Sequence, residues 1–188
     1  MTDLYATLGI PRLAIVAAML LTTPAAAHAQ PVFSLCFTTG GDTAHGEDCA
    51  GRVVSEVNRA KQSIDVFAYE LTEPRIASAL SRAHIRGVAV RIIADRAFAS
   101  SKLAGHLAWL AFDKEDGGIP VYIDGVPGLE HNKVIIIDGQ TVLTGSLNWT
   151  KAANERNAEN LVIIRDPGIA GLYEGNFLQR LADSEPWK

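Results

Sequence analysis

Residues 130–148 read Glu130-His131-Asn132-Lys133-Val134-Ile135-Ile136-Ile137-Asp138-Gly139-Gln140-Thr141-Val142-Leu143-Thr144-Gly145-Ser146-Leu147-Asn148. Lys133 to Asp138 and Thr141 to Gly145 are two apolar strands, and Gly139-Gln140 between them predicts a hairpin turn. Side chains two apart in an extended segment share a face, so His131 and Lys133 point the same way, as do Ser146 and Asn148. Folding the hairpin brings the two polar pairs together. Asp138 has the opposite parity and lies near the turn, which gives it a structural role.

Working outward, strands and helices alternate. Val32 to Phe37 is a first strand. Arg52 to Lys61 carries Val53, Val54, Val57 and Ala60 at helical spacing. Ile64 to Tyr69 is a buried strand. Thr72-Glu73-Pro74 opens a helix with Ile76, Leu80 and Ala83 on one face and Gly87 as its stop. Val88 to Ala94 is a further strand, ending at Asp95-Arg96. Ser100 or Ser101 is expected to cap a helix with Leu103, Leu107 and Leu110 facing inward, ended by Asp116-Gly117-Gly118. Pro120 to Ile123 and Leu161 to Arg165 are strands. Asp166-Pro167 starts a last helix carrying Ile169, Leu172, Tyr173, Phe177 and Leu181. The expected fold is α/β: a mixed β-sheet flanked by helices in a single domain.

The 188 residues suffice for one domain with a real core: 48% are hydrophobic and 20% charged, which excludes a disordered or collagen-like chain. A net charge of −4 advertises no nucleic-acid binder globally, so an anionic substrate must be gripped by local positive charge. The first 29 residues read as a cleaved signal peptide. A polar start, with Arg12 offset by Asp3, precedes the apolar run Leu13 to Leu21, and Ala27-x-Ala29 fits a signal-peptidase site. The apolar run is well short of the roughly 20 residues that span a bilayer. Residues 30–188 are then the mature domain, periplasmic or secreted, with no stable membrane insertion after cleavage. In an oxidising compartment Cys36 and Cys49 are expected to form a disulfide, worth about 3 kcal/mol for a loop of this size.

Lysine and Asn donate hydrogen bonds and Ser can donate one, a set suited to the non-bridging oxygens of a phosphate. Imidazole serves as nucleophile or proton carrier near neutral pH. No constellation of carboxylates stands beside these residues to hold magnesium, so the expectation is metal-free phosphoryl transfer with no cofactor and no metal ligands. A lone His at a strand end is ordinarily a hydrogen-bonded surface or core residue. The combination is different. Six fixed positions, H-x-K-x4-D-x6-G-S-x-N, would match by chance on the order of once in 10⁷ to 10⁸ starting points.

Those positions, His131, Lys133, Asp138, Gly145, Ser146 and Asn148, match the signature of the phospholipase D superfamily residue for residue. Trp149-Thr150-Lys151-Ala152-Ala153 and Asn157-Ala158-Glu159-Asn160 further resemble the small, exported, EDTA-resistant bacterial endonucleases of that superfamily, which carry one copy of the motif. The resemblance covers essentially the whole mature chain and implies a phospholipase D-like fold. It also implies the roles. His131 would attack phosphorus to form a phosphohistidine, Lys133 and Asn148 would hold phosphoryl oxygens, and Ser146 would support the histidine or the phosphate. Glu159 would accept a hydrogen bond from the other ring nitrogen of His131. Asp138 and Gly145 belong to the motif as structural positions. Two histidines are needed, so a single-copy chain is expected to be a homodimer with the site on the two-fold axis. The histidine pair would titrate as a coupled unit with a bell-shaped rate profile.

Other residues carry weaker signals. His84 and His106 sit at packing edges, and His45 lies in the polar loop between the cysteines. Asp95 and Arg96 follow a strand's C-terminal end, where ligands bind in open α/β sheets. Asp113-Lys114-Glu115-Asp116 reads as a solvated helix end. Trp109, Trp149 and Trp187 read as core or surface filler, with Trp149 placed to line the cleft. Three functions follow: an exported phosphodiesterase acting on DNA or RNA, a phospholipase D acting on phospholipid head groups, or a phosphodiester-binding protein without turnover. Size and local similarity favour the first, the missing basic amphipathic helix counts against the second, and the intact motif counts against the third.

Overall fold

The computed structural model describes residues 32–40, 46–112 and 117–188. The proposed signal peptide, His45 and Asp113 to Asp116 lie outside them. The strands are β1 (Val32–Phe37), β2 (Ser63–Ala68), β3 (Ala89–Ala94), β4 (Val121–Ile123), β5 (Lys133–Ile137), β6 (Thr141–Gly145), β7 (Asn160–Arg165) and β8 (Glu185–Pro186). They form one sheet in the order β1-β7-β6-β5-β2-β3-β4-β8. Pairs β2–β3 and β3–β4 are parallel and the others antiparallel, giving the mixed sheet expected.

Alternation along the strands divides the interior. Ile64, Val66, Val90, Ile92, Ile135, Ile137, Leu143, Leu161 and Ile163 face a large core. It is closed by helices α1 (Cys49–Arg59), α2 (Pro74–Ile85) and, following the short α3 (Arg96–Ala99), α4 (Gly105–Phe112). Phe67, Ile93, Val134, Ile136 and Val142 face the other way, against Ala170 and Phe177 of α6 (Pro167–Ala182). A further short helix, α5 (Lys151–Glu155), lies between β6 and β7.

Capping accounts for the helix starts. Asp48 accepts the Gly51 N–H, so α1 begins at Cys49, three residues ahead of the periodic apolar stretch. The early start places Cys49 on the first turn, where it is bonded to Cys36 of β1. Pro74 and Asp166-Pro167 open α2 and α6 as the sequence indicates.

Three local expectations change. Ser100 and Ser101 do not cap the β3–β4 crossover helix. Asp95 caps α3 through the Phe98 N–H, while Ser101 Oγ accepts from Leu103 N in a local turn. Leu103 is therefore 64% exposed, and Leu107 and Leu110 alone carry the buried face of α4. Leu172 on α6 is 77% exposed. The hairpin turn sits one residue early. Asp138 and Gly139 have φ of +54° and +60°, the pair of left-handed residues favoured in a tight hairpin, and Gln140 N donates to Ile137 O.

Among the described residues no helix is long and apolar enough to cross a membrane.

Candidate active site

The sheet register gathers one end of six strands. Ala68 pairs with Lys133, Phe37 with Asn160 and Gly145 with Leu161. The end of β1, the starts of β5 and β7, and the ends of β2, β3 and β6 therefore lie together, and His131, Lys133, Gly145, Ser146 and Asn148 occupy that end. His131 and Ser146 are exposed there, Asn148 is half-buried and Lys133 is buried.

Lys133 Nζ donates to the His131 carbonyl and lies 4.6 Å from the centroid of the Tyr69 ring. The His131 ring meets the same tyrosine edge to face, with centroids 4.5 Å apart. Burial pulls the Lys133 ammonium below the usual lysine range, and the carboxylates of Glu70, Glu130 and Glu159 pull it part of the way back. The ammonium is thus poorly solvated, with the His131 carbonyl as its hydrogen-bond acceptor, and an added anionic oxygen would stabilise it.

Ser146 Oγ accepts from the backbone N–H and the side-chain Nδ2 of Asn160, at 3.0 and 3.2 Å, leaving its own O–H free to donate. Asn148 Oδ1 is buried with no hydrogen-bond partner. Its position is set by Trp149, whose Nε1 donates to Phe67 O and whose carbonyl accepts from Thr72 N and Glu73 N. Trp149 is 1% exposed and fastens this segment to the end of β2, so it does not line the cleft.

Gly145 has φ +152°, and a Cβ there would lie 2.3 Å from the Asn160 carbonyl oxygen. A side chain would push β7 away and break the Ser146–Asn160 contact. Asp138 lies at the far end of β5, where its carboxylate accepts from the N–H groups of Lys61, Gln62 and Ser63. Burial would raise its pKa, but those three donors win and hold it below the ordinary value. It fixes the β2 entry and touches none of the other motif side chains.

Glu159 lies near enough to act on Lys133. Its Oε1 accepts from Asn157 Nδ2, and among the described residues no hydrogen bond joins it to His131. Its backbone is held by β1's exit: Glu159 N donates to Thr38 Oγ1, Thr38 N donates to Glu159 O, and Thr38 Oγ1 donates to Asn157 O. Asp95 and Arg96 are tied into the fold beside this end of the sheet. Asp95 Oδ2 accepts the Glu130 N–H, and Arg96 Nη2 donates to the Asp124 carbonyl. His84 and His106 are half-buried on α2 and α4, and His106 shares a surface pocket with Pro74, Ser78 and Trp109.

Tyr69, Glu70 and Glu130 were not singled out by sequence. Tyr69 ends the strand run starting at Ile64, yet only the long-range pairing of β2 with β5 brings it to His131.

The profile of a family described as "Cardiolipin synthase, PLD-like domain" matches residues 53–181. The chain belongs to the phospholipase D superfamily. It is 40% identical over 151 residues to a phospholipase D of Rickettsia felis, covering 80% of this chain and 70% of that protein. It is 33% identical over 133 residues to the human mitochondrial cardiolipin hydrolase, covering 71% of this chain and 51% of that one. Among solved structures, the phospholipase D family member Nuc of Salmonella typhimurium superposes with a TM-score of 0.73 at 32% identity, over 85% of this chain and 99% of that one. NucT of Helicobacter pylori shares the fold, with the same TM-score at 24% identity. The superfamily's α/β fold is thus the one expected, and the protein is a phosphodiesterase.

The buried ammonium of Lys133 yields a prediction. Its folded pKa lies below the usual 10.5, so stability rises as pH climbs from that lowered pKa to 10.5. Lys133→Met is expected to keep or raise the melting temperature at pH 7, to abolish that rise, and to eliminate turnover. Thermal melts across alkaline pH check it, and a clear loss of stability at pH 7 would contradict it.

Proposed function

We propose that the protein is an exported, metal-independent endonuclease that hydrolyses DNA or RNA through a phosphohistidine on His131, working as a homodimer. The observation carrying this reading is the convergence of His131, Lys133, Ser146 and Asn148 at one open end of the sheet. There a buried ammonium, an amide whose oxygen is unpartnered and a free hydroxyl proton lie at the same end of the sheet as an exposed imidazole.

A ring nitrogen of His131 attacks phosphorus. The P–O bond to the leaving alcohol breaks, and that oxygen takes a proton from a second imidazole. Lys133, Asn148 and Ser146 bind the phosphoryl oxygens as their charge grows. Water then attacks the phosphohistidine, giving its proton to the second imidazole. The P–N bond breaks, releasing a phosphate monoester and neutral His131. Glu159 is assigned the ring's other N–H, which requires its carboxylate to turn from Asn157 when substrate binds.

A second copy of the chain supplies the second imidazole. Supporting this, α6 covers only part of its face of the sheet. On the uncovered part, Phe33, Leu35 and Phe37 of β1 point to the same side as Val162 and are 51–55% exposed. This apolar strip ends at Phe37, paired with the Asn160 that bonds Ser146, so it is continuous with the site. The disulfide between Cys36 and Cys49 supports an oxidising compartment, in keeping with export of residues 30–188.

Names of relatives at 33–40% identity favour a second reading, a phospholipid head-group hydrolase. Purified residues 30–188, incubated with plasmid DNA and separately with phosphatidyl lipid in excess EDTA beside His131→Ala, separate the two. The nuclease reading expects DNA cleavage by the wild type alone. Lipid turnover without DNA cleavage would replace it with the lipid reading.

A further inference from the structure

The residues flanking His131 are clamped from a distance. Glu130 is fully buried; its Oε1 accepts from both the N–H and the Nδ2 of Asn132, at 3.0 and 2.6 Å. One carboxylate thus closes a short loop with His131 at its apex. The loop's other ties are the Glu130 N–H, held by Asp95 Oδ2, and the His131 carbonyl, held by Lys133.

Glu130 is itself held by α6. Arg180 Nε lies 3.4 Å from Glu130 Oε2, and Arg180 Nη2 donates to Asp124 Oδ2 at 3.0 Å. Asp124 is 3% exposed and stands just beyond β4, where the chain leaves for the His131 loop. One guanidinium therefore serves two buried carboxylates at the two ends of residues 124–130. The Nε–Oε2 contact contains no hydrogen bond, so charge holds Glu130 there. Removing that charge leaves two buried carboxylates without a counter-ion, free to turn out and release the loop.

We propose that Arg180 is a positioning residue for His131, acting through Glu130. Fifty residues downstream of Glu130, it fixes the approach angle of the imidazole without touching substrate. The proposal rests on the phosphodiesterase activity for one of its two readouts.

The test uses residues 30–188 as Glu130→Gln, Arg180→Gln and Arg180→Lys, with Arg91→Gln as a comparison. Arg91 makes a part-buried pair with Asp65 and lies 5.1 Å from the Phe177 ring of α6, so it tests the loss of a charge pair under the same helix without removing a partner of Glu130. With bis(p-nitrophenyl) phosphate well below the melting points, Glu130→Gln and Arg180→Gln are expected to lower kcat about tenfold or more with KM within about twofold. Arg180→Lys, which restores the charge, recovers part of the loss, and Arg91→Gln leaves kcat unchanged. Equal kcat losses at Arg91 and Arg180, or none at Glu130 and Arg180, would overturn the proposal. The second readout needs no turnover: the ring ¹H–¹³C signal of His131, assigned with His131→Ala. It is expected to shift in Glu130→Gln and Arg180→Gln but not in Arg91→Gln. Should either variant fail to fold, Asn132→Ala, which removes an exposed arm of the clamp, must move the signal. A signal unmoved in all of these overturns the proposal even if the substrate is not cleaved.

Discussion

Strand β5 is hydrogen-bonded on both sides by antiparallel neighbours, β2 and β6, and the site depends on that register. Because Ala68 lies opposite Lys133, the chain leaving β2 delivers Tyr69 against the His131 ring and the Lys133 ammonium. Because Val134 lies opposite Thr144, Ser146 and Asn148 leave β6 beside the start of β5. A slip of one residue would turn each of these side chains to the opposite face. Asp138 guards the register from the far end, where three backbone N–H groups of the β2 entry converge on one carboxylate at the turn. Gly145 guards it from the near end, because no side chain fits between β6 and the Asn160 carbonyl.

The elements most readable in the sequence were those whose cause is local. The apolar runs of β1 to β7, the proline-led starts of α2 and α6, and the pairing of Cys36 with Cys49 follow from patterns a few residues long. The motif was legible because its spacing encodes strand parity. What was not legible depends on distant partners. Arg180 and Glu130 are fifty residues apart and meet only because α6 crosses the sheet near the His131 loop. Leu103 matched a helical stripe, but its N–H is taken by Ser101 Oγ in a turn ahead of α4, which begins only at Gly105. The turn shifted from Gly139-Gln140 to Asp138-Gly139 because Asp tolerates the left-handed region and ties its carboxylate to the neighbouring strand. α5 and β8 are too short to carry a periodic signal.

The arrangement divides labour between buried and exposed groups. Lys133 and the acids Asp95, Asp124 and Glu130 are out of water, so their electrostatics act at low dielectric and hold the loop stiff. His131 and Ser146 stay exposed, where a long polymer or a head group at a surface can reach them. Such a split suits phosphoryl transfer, in which positioning and charge stabilisation supply most of the rate.

The central claim is that His131 becomes covalently bonded to phosphorus. The direct measurement is acid-free quenching of residues 30–188 during turnover of a labelled phosphodiester, followed by peptide mapping at alkaline pH. The account predicts label on the peptide containing His131, stable to alkali, lost in acid and absent in His131→Ala. Turnover without label on that peptide, or label persisting in His131→Ala, would contradict it.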